Sequence, residues 1–372
     1  SDLLYYLIAG EPSGDMHGAN LMRALREQDT EARFRVWGGS EMEKAGGELV
    51  VHYQQMAFMG FTEVIANLRT IFRYIRFCKQ DLAATKPDVL ILIDYPGFNL
   101  RIASYAKALG LRVVYYISPQ VWAWKASRVK QIRRYVDQML VILPFEAAFY
   151  QQYGYPVTFV GHPLLDVISR FQPDPAFYQH HDLSSKPTIA VIPGSRKQEI
   201  STMLPPMLAA VRPYTGYQAV IGAAPGIEPG FYQSLIPADQ EVHVLTNASY
   251  SLMANARAGL ITSGTASLEA ALHGLPEVVC YKGGWLSYWI ARSLVNINYI
   301  ALANLVLDRE AVKELIQQDF TVKGLQQELS LLLEDDNYRQ QQLRDFAEPR
   351  QRLGEAGASQ RAATAILDEL NR

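Results

Sequence analysis

The sequence predicts an α/β chain of two Rossmann-like, doubly wound domains with a helical C-terminal tail, and three observations carry that expectation. Short runs rich in β-branched and aromatic residues alternate with helical patterns. The alternation breaks once, in a proline-rich stretch, and then restarts. From about residue 309 onward the chain reads as charged helix without strand candidates. Strands that alternate with helices build parallel sheets covered on both faces.

The first domain, expected over residues 1–168, opens with the strand LLYYLI and the helix ANLMRALRE and continues through VLILI, RVVYYI, DQMLVIL and VTFV. Residues 169–187, within SRFQPDPAFYQHHDLSSKPT, hold three prolines and two histidines without an apolar period and are expected to form the linker. The second domain, 188–345, is read from TIAVI, YQAVIG, EVHVL, AGLIT and PEVVCY. A helical tail, 346–372, follows with the periodic ASQRAATAILDEL, placed to pack on the first domain or on a partner subunit. Ligands of such sheets bind beyond the carboxyl ends of the strands, so the residues just after each strand are the candidates for function.

Composition narrows the class. At 49% hydrophobic and 19% charged residues the chain can bury a full core, and a net charge of -2 gives no global attraction to nucleic acid. Cys78 and Cys280 are far apart with no CxxC pair, which suits a reducing cytoplasm better than a disulfide framework. The histidines show no ligand spacing and no Asp-x-Asp occurs, so neither a metal nor another cofactor is expected. The longest aliphatic run, VLILI, falls far short of the roughly 20 residues of a membrane span. The start shows no signal-peptide pattern, so secretion is not expected. No G-x-G-x-x-G is present, which removes the main support for a nicotinamide enzyme.

Five stretches can carry chemistry. TIAVIPGSRKQEI runs from a strand through a Pro193-Gly194 turn to Ser195 and Arg196 at a helix start, a combination suited to a diphosphate. An ordinary βα turn with a surface arginine is the competing reading. AGLITSGTASLEAAL repeats the signal: Ser263, Gly264 and Thr265 open a helix whose second turn bears Glu269, a carboxylate suited to a ribose diol, although mere capping accounts for the same residues. VLILIDYPGFN sets Asp94 directly after a strand, positioned as a general base at the cleft between the domains. An Asx-turn or helix cap is the alternative there, with Asn99 better placed to cap the helix. FTEVIANLRTIFRYIRFCKQDL, at helical spacing, sets Phe61, Val64, Ile65, Leu68, Ile71, Phe72 and Ile75 on one arc beside Arg69, Arg73 and Arg76. With the preceding apolar loop, Met56, Phe58 and Met59 included, this helix can meet an anionic membrane or acyl chains. A core-facing helix with solvated arginines fits the pattern too. SPQVWAWKASRVKQIRR adds two tryptophans and five cations, a further place for an amphiphilic phosphorylated ligand unless the tryptophans are core.

Together AGEPSGDMHGANLMRAL, FMGFTEV, KPDVLILIDYPGFN, YYISPQVWAW, LPFEAAFY, FVGHPL, PGSRKQEI and SGTASLEAAL, in this order over almost the whole chain, resemble the lipid-A-disaccharide synthase family. These are inverting glycosyltransferases of the two-Rossmann-domain, GT-B type, with the domains facing a cleft. The resemblance implies transfer of 2,3-diacylglucosamine from UDP-2,3-diacylglucosamine to 2,3-diacylglucosamine 1-phosphate. The products are a β-1,6-linked disaccharide 1-phosphate and UDP, formed by a cytoplasmic enzyme peripherally bound to a Gram-negative inner membrane. It also implies a homodimer. Position by position, it puts the essential aspartate on Asp94 and diphosphate binding on Arg196. Ser195, Ser263, Gly264, Thr265, Glu269 and Asn304 fall around the UDP, and Glu11, Ser13 and Gly14 near the sugar. The chain departs from the family pattern at Pro12, at Gly97, which leaves Asp94 the only acid in its turn, and at Ala303 before Asn304. The rival readings are a UDP-sugar enzyme of the same fold, such as a soluble-acceptor transferase or a UDP-N-acetylglucosamine 2-epimerase, and a non-catalytic lipid or nucleotide-sugar binding protein.

Overall fold

A computed structural model describes residues 2–56, 68–119, 126–283, 301–307 and 309–372. Every strand pairing among the described residues is parallel. Strands β1 (Leu4–Ala9), β2 (Arg33–Gly38), β3 (Gly47–His52), β4 (Val89–Ile93), β5 (Arg112–Tyr116), β6 (Gln138–Val141) and β7 (Thr158–Phe159) form one sheet in the order β3-β2-β1-β4-β5-β6-β7. Strands β8 (Thr188–Ile192), β9 (Gln218–Gly222), β10 (Val242–Leu245), β11 (Ala258–Thr262), β12 (Glu277–Tyr281) and β13 (Lys313–Ile316) form the other, in the order β10-β9-β8-β11-β12-β13. The unbroken apolar runs VLILI, TIAVI and AGLIT become central strands buried along their whole length, as parallel strands covered on both faces must be.

The strand orders fix where ligands can enter. In the first sheet the chain winds outward from β1 through β2 to β3, then returns to the other side of β1 for β4. The loops after β1 and β4 therefore leave neighbouring strands in opposite directions and open a crevice between them. In the second sheet the same reversal falls between β8 and β11. The two reversals coincide with the loops that hold Glu11 and Asp94 in one sheet, and the PGSR and SGT turns in the other.

The first compact unit comprises Ser1–Asp166 together with Glu355–Arg372; the second begins at Val167 and ends at Gly354. The tail expected at 346–372 is thus divided between them. The Ala358–Leu370 helix buries Ala362, Ala363 and Ile366 in the first unit, where Gln138 Nε2 donates to the Ala365 carbonyl at 3.0 Å. Asp166 supplies the cap this helix lacks in its own sequence, accepting the main-chain N–H groups of Gly357, Ala358 and Ser359. The expected linker is a packed part of the second unit rather than a spacer. Phe177 is 1% exposed, with Tyr178 and Leu183 against its cluster, so the prolines around it shape turns about an aromatic anchor.

Candidate active site

Strand β4 ends in strain. Asp94 (φ 46°) and Tyr95 (φ 52°) are consecutive left-handed residues, and Ile117 (φ 66°) ends neighbouring β5 in the same way. For non-glycine residues this conformation costs on the order of 1–3 kcal/mol each and gathers at functional sites. The surroundings hold it in place. Asp94 N–H donates to the Tyr116 carbonyl at 3.1 Å. The Asp94 carbonyl accepts from the Tyr115 hydroxyl at 2.5 Å and from Asn99 Nδ2 at 2.8 Å. Asn99 is not the cap of the following helix: Tyr95 occupies that position, and Asn99 lies buried inside Pro96–Ala108 as part of the clamp on Asp94.

The loop after β1 completes this end of the sheet. Glu11 is the N-cap of the Pro12–Gln28 helix, and Pro12 sits in its first turn, where a fixed φ helps and no N–H is needed. A Cβ on Gly10 would lie 2.4 Å from Cδ1 of Tyr95, so only glycine lets the loop rest on that ring. Ser13 is half-buried in the same first turn. Gly14 is buried, and a Cβ there would come within 3.1 Å of the Ala9 Cβ. The missing side chain serves helix-on-strand packing. Burial, followed by the charge of Glu11, pushes the Asp94 carboxyl up to about 7 against the Tyr95 N–H, which favours the ionised form. A second acid does act on Asp94, from a different loop. Gly97 leaves Asp94 the only acid in its own turn, and strand adjacency between distant segments is what local spacing cannot display.

The second sheet presents two turns from the adjacent strands β8 and β11. After β8, Gly194 (φ 136°) leads to exposed Ser195 and to Arg196, the exposed N-cap of the Lys197–Val211 helix. Ser195 N–H donates to Glu199 Oε1 at 2.9 Å, closing the turn. After β11, half-buried Ser263 leads to Gly264 (φ 123°), with open space where a side chain would be, and to exposed Thr265 at the start of the Thr265–Leu272 helix. Burial raises the Glu269 carboxyl to about 7, opposed by the hydroxyls of Tyr250 and Thr265. Two helix N-termini with an arginine and a bare glycine offer anion donors in a small space.

Asn304 is corrected. It is fully buried, its Nδ2 donates to the Val312 carbonyl (2.9 Å) and Glu314 Oε2 (2.7 Å), and its Oδ1 accepts Ala311 N–H (2.7 Å) and Val312 N–H (3.0 Å). With both amide donors and the carbonyl oxygen engaged, the side chain braces the loop before β13 and has nothing left for a nucleotide.

The amphipathic helix also differs from the single arc expected. Within Leu68–Thr85, Ile71, Ile75, Cys78 and Leu82 face the core, whereas Leu68 (41%), Phe72 (51%) and Phe77 (43%) are exposed alongside Arg69, Arg73 and Arg76. The bidentate pair of Arg35 with Asp81, joined by the Tyr6 hydroxyl on Asp81 at 2.6 Å, fixes which stripe turns inward. Met56 is corrected to a core residue, 2% exposed, whose carbonyl accepts the Tyr95 hydroxyl at 3.0 Å. Phe58, Met59, Phe61, Val64, Ile65 and the tryptophans of VWAW lie outside the described residues. Among the described residues no group of His, Cys, Asp or Glu is arranged to hold a metal ion, and no helix is long and apolar enough to cross a membrane.

Comparison with known proteins bears on the fold and on the family. Among solved structures, a putative UDP-N-acetylglucosamine 2-epimerase from Listeria monocytogenes superposes with a TM-score of 0.71 at 12% identity, covering 99% of this chain and 96% of that one. The calicheamicin glycosyltransferase CalG4 gives 0.61 at 16% identity, covering 100% and 99%. These likenesses show the fold, two Rossmann-like domains of the GT-B class. Sequence similarity goes further. A lipid-A-disaccharide synthase from Acidobacterium capsulatum is 40% identical over 374 residues, 95% of this chain and 92% of that protein. Another from Geobacter metallireducens is 36% identical over 377 residues, 98% and 97% of the two chains. The family model described as lipid-A-disaccharide synthetase matches residues 5–367, and the chain belongs to that family of glycosyltransferases.

Proposed function

We propose that this protein is a lipid-A-disaccharide synthase, transferring 2,3-diacylglucosamine from its UDP derivative to 2,3-diacylglucosamine 1-phosphate. The observation that carries the catalytic part is Asp94: a carboxyl raised to about 7, clamped at the reversal point of the first sheet. Family membership supports the substrates, a nucleotide sugar and a lipid.

In this reading Asp94 takes the proton of the acceptor 6-hydroxyl while that oxygen attacks the anomeric carbon in line with the departing diphosphate. The carbon–oxygen bond to UDP breaks and UDP leaves with the electron pair. Arg196 and the N-termini of the Lys197–Val211 and Thr265–Leu272 helices take up the growing charge, a task in which preorganised donors supply several kcal/mol. Full activity in EDTA is therefore expected. Glu269 meets the ribose diol, with Ser195, Ser263, Gly264 and Thr265 lining the diphosphate, and Ser13 approaches the sugar. Leu68 and Phe72, with Phe77 added, rest on acyl chains or an anionic inner-membrane surface, and Arg69, Arg73 and Arg76 meet its phosphates. A cytoplasmic homodimer completes the proposal.

The test incubates the protein with UDP-diacylglucosamine, diacylglucosamine 1-phosphate and detergent, and seeks disaccharide and UDP by mass spectrometry. Both products are expected, and only with acceptor present. Their absence overturns the assignment, and conversion of the donor without acceptor turns it toward an epimerase.

A further inference from the structure

The inference rests on the reading of Asp94 as base. Strands β1 and β4 are parallel neighbours with Ala9 opposite Ile93, so the chain leaves both side by side. Gly10 and Asp94 are the first residues beyond the paired strand ends, Gly10 lies against the ring of Tyr95, and Glu11 follows Gly10 directly. Each is held by its backbone. Glu11 is extended (φ -142°, ψ 159°) as a cap fixed by Pro12, and Asp94 is left-handed and clamped by Tyr115 and Asn99.

We propose that Glu11 is a positioning residue for the transfer: carried on the loop that leaves β1 beside the end of β4, it adds to burial in keeping Asp94 basic enough to take a sugar hydroxyl proton. An ordinary carboxylate is a weak base at neutral pH. A second negative charge beside it favours the protonated form that the reaction creates. The proton passes from the acceptor hydroxyl to Asp94, the O–H electron pair becomes the new bond to the anomeric carbon, and Glu11 takes no part in the proton's path. The other groups facing Asp94 are the Tyr115 hydroxyl from β5, which donates to the Asp94 carbonyl and is itself held neutral by burial, and the Tyr95 N–H of the same turn. Among the described residues no lysine, arginine or histidine acts on the Asp94 carboxyl.

The test is the pH dependence of kcat/KM for the full chain, its Glu11→Gln and Glu11→Asp variants, and Asp94→Asn. In Glu11→Gln the acid limb is expected to move to lower pH by about one pH unit, with the plateau about three- to tenfold lower because the base is weaker. Glu11→Asp restores both. An unmoved limb in Glu11→Gln with Asp94→Asn inactive overturns this inference and leaves the base reading standing, whether or not KM has risen. An active Asp94→Asn overturns the base reading itself. Carboxyl-carbon NMR on the unaltered protein gives a readout independent of turnover. Asp94 is expected to titrate near 7 and to titrate lower in Glu11→Gln; an ordinary carboxyl value in the unaltered protein overturns the proposal.

Discussion

Asn99 donates its side-chain amide to the main-chain carbonyl of Asp94 at 2.8 Å, from inside the helix that Asp94 itself leads into. The same amide lies 3.3 Å from the Ile8 carbonyl and 3.4 Å from that of Ile93, so one buried side chain joins β1, β4 and the strained turn. Replacing it by alanine removes a buried hydrogen bond worth about 1 kcal/mol, leaves acceptors bare and frees the turn. Asn99→Ala is expected to melt earlier and to lose about tenfold or more in kcat, with KM little changed. Thermal melting beside steady-state kinetics checks both effects.

Asp94 links activity and stability with opposite signs. Its carboxyl lies at about 7 in the fold, so kcat/KM is expected to fall about tenfold per pH unit below 7 and to level off above. The unfolded chain ionises this group near 3.9, so its contribution to stability is intact below that value and lost as pH rises through 7. Asp94→Asn is expected to abolish turnover yet raise stability at pH 8, by on the order of 1 kcal/mol once partial screening of the half-buried group is allowed for. Urea unfolding at pH 4 and pH 8 reads the stability arm.

Glu277 shows the same sign without a function to offset it. Only 1% exposed, it has neither carboxyl oxygen hydrogen-bonded within the described structure, and burial holds its carboxyl well above the ordinary range. Its contribution is therefore whole below about pH 4 and is lost as pH rises through the raised value. Glu277→Met is expected to stabilise the second unit by about 1–3 kcal/mol at pH 7 and much less at pH 4. Denaturant midpoints at the two pH values decide it.

The exposed stripe of the Leu68–Thr85 helix gives a membrane prediction. Phe72→Ser with Phe77→Ser removes two half-exposed aromatic rings without touching Ile71 or Ile75. Binding to anionic vesicles is expected to weaken about tenfold or more, since each ring contributes on the order of 1–2 kcal/mol of burial. Melting temperature is expected to fall only slightly, through loss of the Phe77 ring from its place 5.9 Å from the Trp37 ring, and vesicle sedimentation measures the binding loss.

Much of the fold was legible because its strands are buried on both faces: VLILI and AGLIT cannot be mistaken once they alternate with helices. Asp94 and the PGSR and SGT turns were legible for a related reason, since residues directly following such strands lie at the binding edge. What stayed hidden depends on pairings between distant segments. Glu11 acts on Asp94 only because β1 and β4 are neighbours. Asn304 looked like a nucleotide contact until four partners from its own loop and β13 accounted for it. Helical spacing set Ile71 and Phe72 on one arc, and it is tertiary packing, with Ile75, Cys78 and Leu82 in the core and Asp81 paired to Arg35, that turns Ile71 inward.

Asp166 stands where the chain departs from the first unit, and the helix it caps begins where the chain returns. Uncapping that helix with Asp166→Ala is expected to cost about 1–2 kcal/mol and to open residues 358–370 to hydrogen exchange before the rest of the unit. The arrangement also orders the protein's making. On the ribosome, the unit that emerges first keeps an open apolar face until Ala362, Ala363 and Ile366 have been synthesised, whereas the second unit already has residues 167–354 in hand. Of the two units the one begun first is completed second, and for the time between, the nascent chain carries a binding site for residues 358–370.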